Sequence, residues 1–152
     1  MITLSFLIAV LSLDILEDQK LQKTQRVILY SICKTTAMDF IVGEKHYFMT
    51  DSATYNDHSK MLFNIKHNWD DLDLDDPIFI ETAQREYRDQ YFYRNYNFIQ
   101  FLDKRILFID DELKLKNVPE KIKVDVIVLA NDANVKIQDL KQMFDFNQLV
   151  FD

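Results

Sequence analysis

The chain has 152 residues but only one glycine and two prolines, where ordinary usage is about 7% and about 5%. A glycine-rich phosphate loop and a dinucleotide-binding fingerprint are therefore excluded, as are collagen-like and proline-rich architectures. Hydrophobic residues make up 48% of the chain, so it has the composition of a folded domain. The formal charge of −7 argues against an autonomous basic face for a phosphate backbone, though not against a local basic patch. The single cysteine, Cys33, excludes an intramolecular disulfide and a cysteine-rich zinc site.

The first thirteen residues, MITLSFLIAVLSL, carry no charge. The run is too short to cross a bilayer alone, which takes about 17–25 apolar residues. It lacks the basic start of a signal peptide. It reads as a buried or interface helix, or as the end of a longer transmembrane helix, with residues 14–26 as a juxtamembrane linker. Val27 to Ile32 predicts a buried strand, Lys34 to Thr36 a polar turn, and Ala37 to Val42 a second strand holding Asp39. Gly43-Glu44 predicts a hairpin turn into a third strand, Lys45 to Thr50.

Asp51 and Ser52 can cap a helix from near Ala53 to about Trp69, with Met61, Leu62, Ile65 and Trp69 on its apolar face. The stretch DDLDLDDP follows. Counted from Asp70 as a calcium loop, it has Asp75 where glycine belongs and Leu72 at a ligand position, although Glu81 fits the twelfth. It reads as a solvated acidic loop.

From Pro77 to Tyr96, helical composition gives way to aromatic residues interleaved with arginine. The pattern predicts an amphipathic helix whose tyrosines cover a sheet while its arginines reach outward. The alternative is contact with single-stranded nucleic acid through Arg85, Arg88, Tyr91 and Arg94, since such mixtures stack bases and meet phosphates. Phe98 to Leu102 and Arg105 to Ile109 predict a hairpin turning at Asp103-Lys104. Asp110 to Glu120 is a polar connector. Lys123 to Ala130 is the strongest buried-strand pattern. A helix over Val135 to Phe144 follows, with Ile137, Leu140, Met143 and Phe144 inward, and then a strand over Gln148 to Phe151. This strand–helix–strand unit predicts parallel neighbours, and a chain ending on a core strand predicts a domain that continues beyond it.

No catalytic constellation emerges. His46, His58 and His67 lack metal-ligand spacing, and Cys33 has no histidine at motif spacing. Asp51, Asp110 and Asp152 each follow a predicted strand, where acids serve either α/β sites or strand-end capping.

The stretch QRVILYSICKTTAMDFIVGEKHYFMTD resembles the start of the soluble C-terminal domain of the ComEC family of competence and DNA-internalisation membrane proteins, in its Bacteroidetes form. The stretch KIKVDVIVLANDANVKIQDLKQMFDFNQLVFD resembles that family's later strand, helix and strand. The resemblance implies an α+β, αββα-like fold: a partial metallo-β-lactamase-like domain over 27–152 with mixed sheets and flanking helices. It places 1–13 at the end of the last membrane helix and the full-length protein at the inner membrane. Its partners would be the rest of its own membrane-spanning chain and single-stranded DNA. Many relatives hold two metals with an HxHxDH loop after a core strand, but here that place reads ANDANVK, from Ala130 to Lys136. The resemblance thus implies no catalytic residue, metal or cofactor, with Asp39, Asp51 and Asp132 as vestiges of a site. Two other readings are a hydrolase or nuclease with a non-standard site at those acids, and a soluble α+β interaction domain unrelated to membranes.

Overall fold

The computed structural model describes residues 24–32, 35–110 and 120–152. The apolar run 1–13, Cys33 and most of the connector after Asp110 lie outside the described residues. Strands β1 (Gln25–Ile32), β2 (Thr35–Val42), β3 (Lys45–Thr50) and β4 (Ile78–Glu81) form one mixed sheet in the order β1-β2-β3-β4. β1, β2 and β3 pair antiparallel, and β4 lies parallel to β3. The second sheet has the order β12-β10-β8-β7-β6-β5. Its strands are β5 (Glu86–Arg88), β6 (Phe92–Asn95), β7 (Phe98–Phe101), β8 (Lys104–Ile109), β10 (Val126–Leu129) and β12 (Gln148–Phe151). β10 and β12 run parallel, as the strand–helix–strand pattern predicts, and β8 is parallel to β10 as well. A short parallel pair, β9 (Ile122–Lys123) with β11 (Phe144–Asp145), stands apart.

Alternation along the strands builds four layers. Met38, Phe40, Tyr47, Met49 and Ile80 of the first sheet meet Phe92, Ile99, Phe101, Ile106, Phe108 and Val128 of the second. The opposite face of the first sheet, with Tyr30, Ala37 and Phe48, packs under a helical layer through Met61, Ile65 and Trp69. That layer consists of α1 (Ser52–Asn56), α2 (His58–Met61), a π-helical segment (Leu62–Lys66) and α3 (His67–Asp71). On the far side, Leu107, Ile109, Ile127 and Leu129 pack under α4 (Ile137–Met143). The fold is α+β, with mixed sheets between flanking helices.

Several expectations need correction. The single helix from Ala53 to Trp69 is broken at Asp57, whose carboxylate accepts the N–H groups of Ser59 and Lys60 at 3.1 Å each and starts a new helix. The π-helical segment then shifts the apolar face, leaving Leu62 exposed. Ile137 is exposed as well. Thr35 and Thr36 belong to β2 rather than to a turn. The strand expected over Lys123 to Ala130 is interrupted at Val124-Asp125, where the Asp125 side chain accepts the Arg105 N–H at 2.8 Å. Pro77 to Tyr96 forms three strands and no helix.

Two-residue loops join β2 to β3, β6 to β7 and β7 to β8, and their first residues, Gly43, Tyr96 and Leu102, all have positive φ. Only the first is the glycine that this geometry favours.

Candidate functional site at the strand ends

Parallel pairing sets Ile109, Leu129 and Phe151 level across the second sheet. Asp110 and Asp152 therefore leave the same end of that sheet. In the first sheet Thr50 lies level with Glu81, and the β2–β3 register carries Thr36 to the level of Asp51. The Thr36 hydroxyl donates to Asp152, so the two sheet ends meet. This rim is where α/β architectures commonly carry binding sites.

Each acid of that end, apart from Asp132, has an internal partner. Asp51 caps α1, accepting the Thr54 N–H at 2.8 Å, the Thr54 hydroxyl at 2.9 Å and the Thr35 hydroxyl. Burial alone would raise the Asp51 carboxyl, but these donors outweigh it and hold the group below its usual range. Glu81 accepts the Ser52 N–H at 3.1 Å and the Ser52 hydroxyl. Asp110 faces Arg85 at 3.6 Å.

Arg94 is fully buried on the inner face of β6. Its guanidinium reaches across the sandwich, donating to the carbonyls of Glu81 at 3.3 Å and Thr82 at 2.9 Å, and to Tyr96 at 3.1 Å. Burial brings the guanidinium down to about 10, with Arg85 pushing the same way and Asp110 opposing. It stays charged at neutral pH.

Asp39 lies elsewhere, fully buried in mid-strand on the helix-facing side of β2. Its Oδ1 is 2.6 Å from His46 Nδ1, and its Oδ2 accepts the Trp69 indole N–H at 2.5 Å and the Tyr30 hydroxyl at 3.0 Å. His46 Nε2 faces the Asp75 carbonyl at 2.9 Å, so that nitrogen carries a proton. Burial, then the Asp39 charge, raises the Tyr30 hydroxyl well above its usual value. The network pins the helical layer to the sheet. Hairpin register could have revealed it, since Val42 opposite Lys45 makes Asp39 and His46 diagonal neighbours on one face.

The three acids expected as vestiges do not converge. Asp39 sits under the helices, Asp51 at the end of β3, and Asp132 is exposed in the loop after β10 of the other sheet. Of the expected nucleic-acid contacts, Arg85 and Arg88 are exposed and Tyr91 is half-buried under the Lys45 ammonium, 5.8 Å from its ring centre. Arg94 is removed from that set by burial, because strand alternation turns it inward.

Among the described residues no group of three or more His, Cys, Asp or Glu side chains is placed to hold a metal ion. The residues present do not fit the dinuclear centre that a metallo-β-lactamase-like fold implies. His46 has both ring nitrogens engaged, Asp51, Glu81, Asp110 and Asp152 are committed to donors, and a cationic guanidinium lies between the sheets. Among the described residues no helix is long and apolar enough to cross a membrane.

The fold and its strand-end rim define an α+β sandwich domain of the αββα class in which, among the described residues, no metal-holding cluster is assembled. The model of the ComEC C-terminal domain family matches residues 27–152, and the chain belongs to that family. No curated protein and no solved structure gives a significant match.

Proposed function

We propose that this domain is a non-catalytic part of a DNA-uptake membrane protein, supporting the passage of single-stranded DNA or the assembly of the channel. Its partner is then the rest of its own membrane-spanning chain, at the inner membrane. Residues 1–13 end a membrane helix in this reading, 14–26 form the tether, and 27–152 form the domain. The observation that carries the proposal is the strand-end rim. Its acids other than Asp132 are spent on internal donors, and Arg94 occupies the space between the sheets.

The test combines elemental analysis of the purified chain with a cleavage assay on labelled single- and double-stranded DNA in the presence of divalent metals. Metal well below one equivalent and intact DNA are expected. Stoichiometric metal, with cleavage abolished by Asp51→Ala, overturns the reading in favour of a hydrolase. In cells, deleting the domain should lower transformation, whereas Asp51→Asn and Glu81→Gln should preserve it wherever the variant protein accumulates normally.

A further inference from the structure

Helix α4 covers only part of the outer face of the second sheet, packing over β8 and β10. Among the described residues, no helix covers the outer face of β5, β6 and β7, apart from the Phe144 ring 6.5 Å from that of Phe98. Cross-strand register lays Arg88, Tyr93, Gln100 and Arg105 in one row across it. All four are exposed, and Tyr93 offers 40% of its surface to solvent. Neighbouring strands are about 4.8 Å apart, so the two guanidinium-bearing positions stand about 14 Å apart with an aromatic ring and an amide between them.

Two shallow grooves adjoin this row. One, of 350 Å³, is lined by Arg88, Gln90, Tyr91, Tyr93 and Gln100 among others. The other, of 310 Å³, is lined by Glu86, Tyr87, Arg88, Tyr93 and Arg94. The cross-strand pair Arg88–Tyr93 belongs to both, as a ridge between them. Each groove is at the small end of ligand sites, which run from about 300 Å³ upward. The acids nearby are largely neutralised. Asp89 is held by the Lys45 ammonium at 2.9 Å and the Tyr47 hydroxyl at 2.8 Å, and Asp125 faces Arg105 at 3.6 Å. Within β5, β6 and β7 Glu86 is the one acid, and Asp103 in the adjoining turn is paired with Lys104 at 2.9 Å.

Guanidinium groups, an exposed ring and side-chain amides beside successive grooves fit an anionic chain that carries flat, unstacked rings. We propose that the outer face of β5–β7 is a track for single-stranded DNA, with Tyr93 as a stacking platform and Arg88 and Arg105 as phosphate contacts. The proposal rests on the DNA-uptake reading and gives it a location. Of the set read from sequence it keeps Arg88 as a contact and adds Tyr93, Gln100 and Arg105 in place of Arg85, Tyr91 and Arg94.

The experiment is fluorescence anisotropy of a labelled oligo-dT of about 16 nucleotides against the full chain, between about 50 and about 200 mM salt. Salt-sensitive binding is expected for the wild type. Tyr93→Ala should weaken it about tenfold or more, while Tyr93→Trp retains it. Arg88→Ala should flatten the slope of log affinity against log salt by about 0.7. Phe63→Ala, an exposed residue of the helical layer, should bind as the wild type does. Thermal midpoints establish that each variant is folded. Absence of wild-type binding at low salt, or unchanged affinity in folded Tyr93→Ala, overturns the track and leaves the non-catalytic reading standing. Cleavage of the oligomer counts against that reading instead.

Discussion

Replacing Arg94 with alanine tests whether the guanidinium is a structural bridge between the sheets. The substitution takes the side-chain donor from the carbonyls of Thr82 and Tyr96, leaves Glu81 only its Gln84 N–H at 2.9 Å, and empties the space of a fully buried side chain. An unsatisfied buried polar group costs about 1–3 kcal/mol, with carbonyls toward the lower end because they tolerate loss better than N–H groups. Two carbonyls and the cavity together give a loss of about 2–4 kcal/mol. That is a large part of the roughly 5–15 kcal/mol that holds a domain folded. Equilibrium urea unfolding followed by Trp69, the only tryptophan, reports it directly. Arg94→Lys keeps the charge but lacks the planar fork, so it should recover only part of the loss. The deficit should be flat between about pH 5 and about pH 9. Burial lowers the folded guanidinium to about 10, below its unfolded value, so the unfolded chain binds more protons only between the two values, and stability rises with pH only there. A loss below about 1 kcal/mol, typical of a surface change, would mean that water satisfies those carbonyls, and the bridging argument would fall.

Asp39→Ala strips the acceptor from His46, Trp69 and Tyr30 at once and should cost about 3–5 kcal/mol; a cost near that of Trp69→Phe alone would show that the network is not a unit. Asp51→Asn should flatten the acid limb of the stability curve. The wild-type carboxyl titrates below its unfolded value, so its contribution is present above about pH 4 and is lost as the pH falls further. Urea midpoints at pH 7 and at about pH 3 make the comparison, and parallel acid slopes would refute it. Tyr96→Gly relieves a positive φ at an exposed loop residue and should stabilise by about 1 kcal/mol, raising Tm by about 2–4 °C. A lower Tm would assign the ring a packing role.

The part of the fold legible in sequence is the part with β-branched runs and glycine punctuation. The three strands between Val27 and Thr50 are legible because VILYSI and AMDFIV are compact apolar runs and Gly43 marks a turn, although Thr35 and Thr36 join β2 and β1, expected to be buried, leaves Val27 exposed. The helix after β10 is legible from the apolar spacing of Leu140, Met143 and Phe144, and the parallel β12 from the strand–helix–strand order. Between Thr82 and Tyr96 both signals vanish. The stretch contains no valine, isoleucine or glycine, and its Glu, Gln and Arg residues favour a helix. Its turns use Tyr96-Asn97 and, after the next strand, Leu102-Asp103, whose positive φ no glycine announces. What makes strands there is tertiary: Phe92, Ile99 and Phe101 have an apolar sheet to pack against.

That local ambiguity decides which side chains can meet a partner. On a helix, Arg85, Arg88 and Tyr91 recur every third residue and drift along one face, with Arg94 continuing the series. On a strand the period is two, so neighbours in sequence face opposite ways. Tyr93 then turns to solvent opposite Arg88, and Arg94 turns inward to the carbonyls of β4's end. The charge that composition offered to a phosphate backbone is spent holding two sheets together, and the surface chemistry passes to its neighbours. In a chain this poor in glycine, assigning binding residues by type alone therefore fails at the point where the period changes. Arg94 and Tyr93 are the pair on which that argument can be measured: the first should move stability and not affinity in any variant that remains folded, and the second should move affinity and not stability.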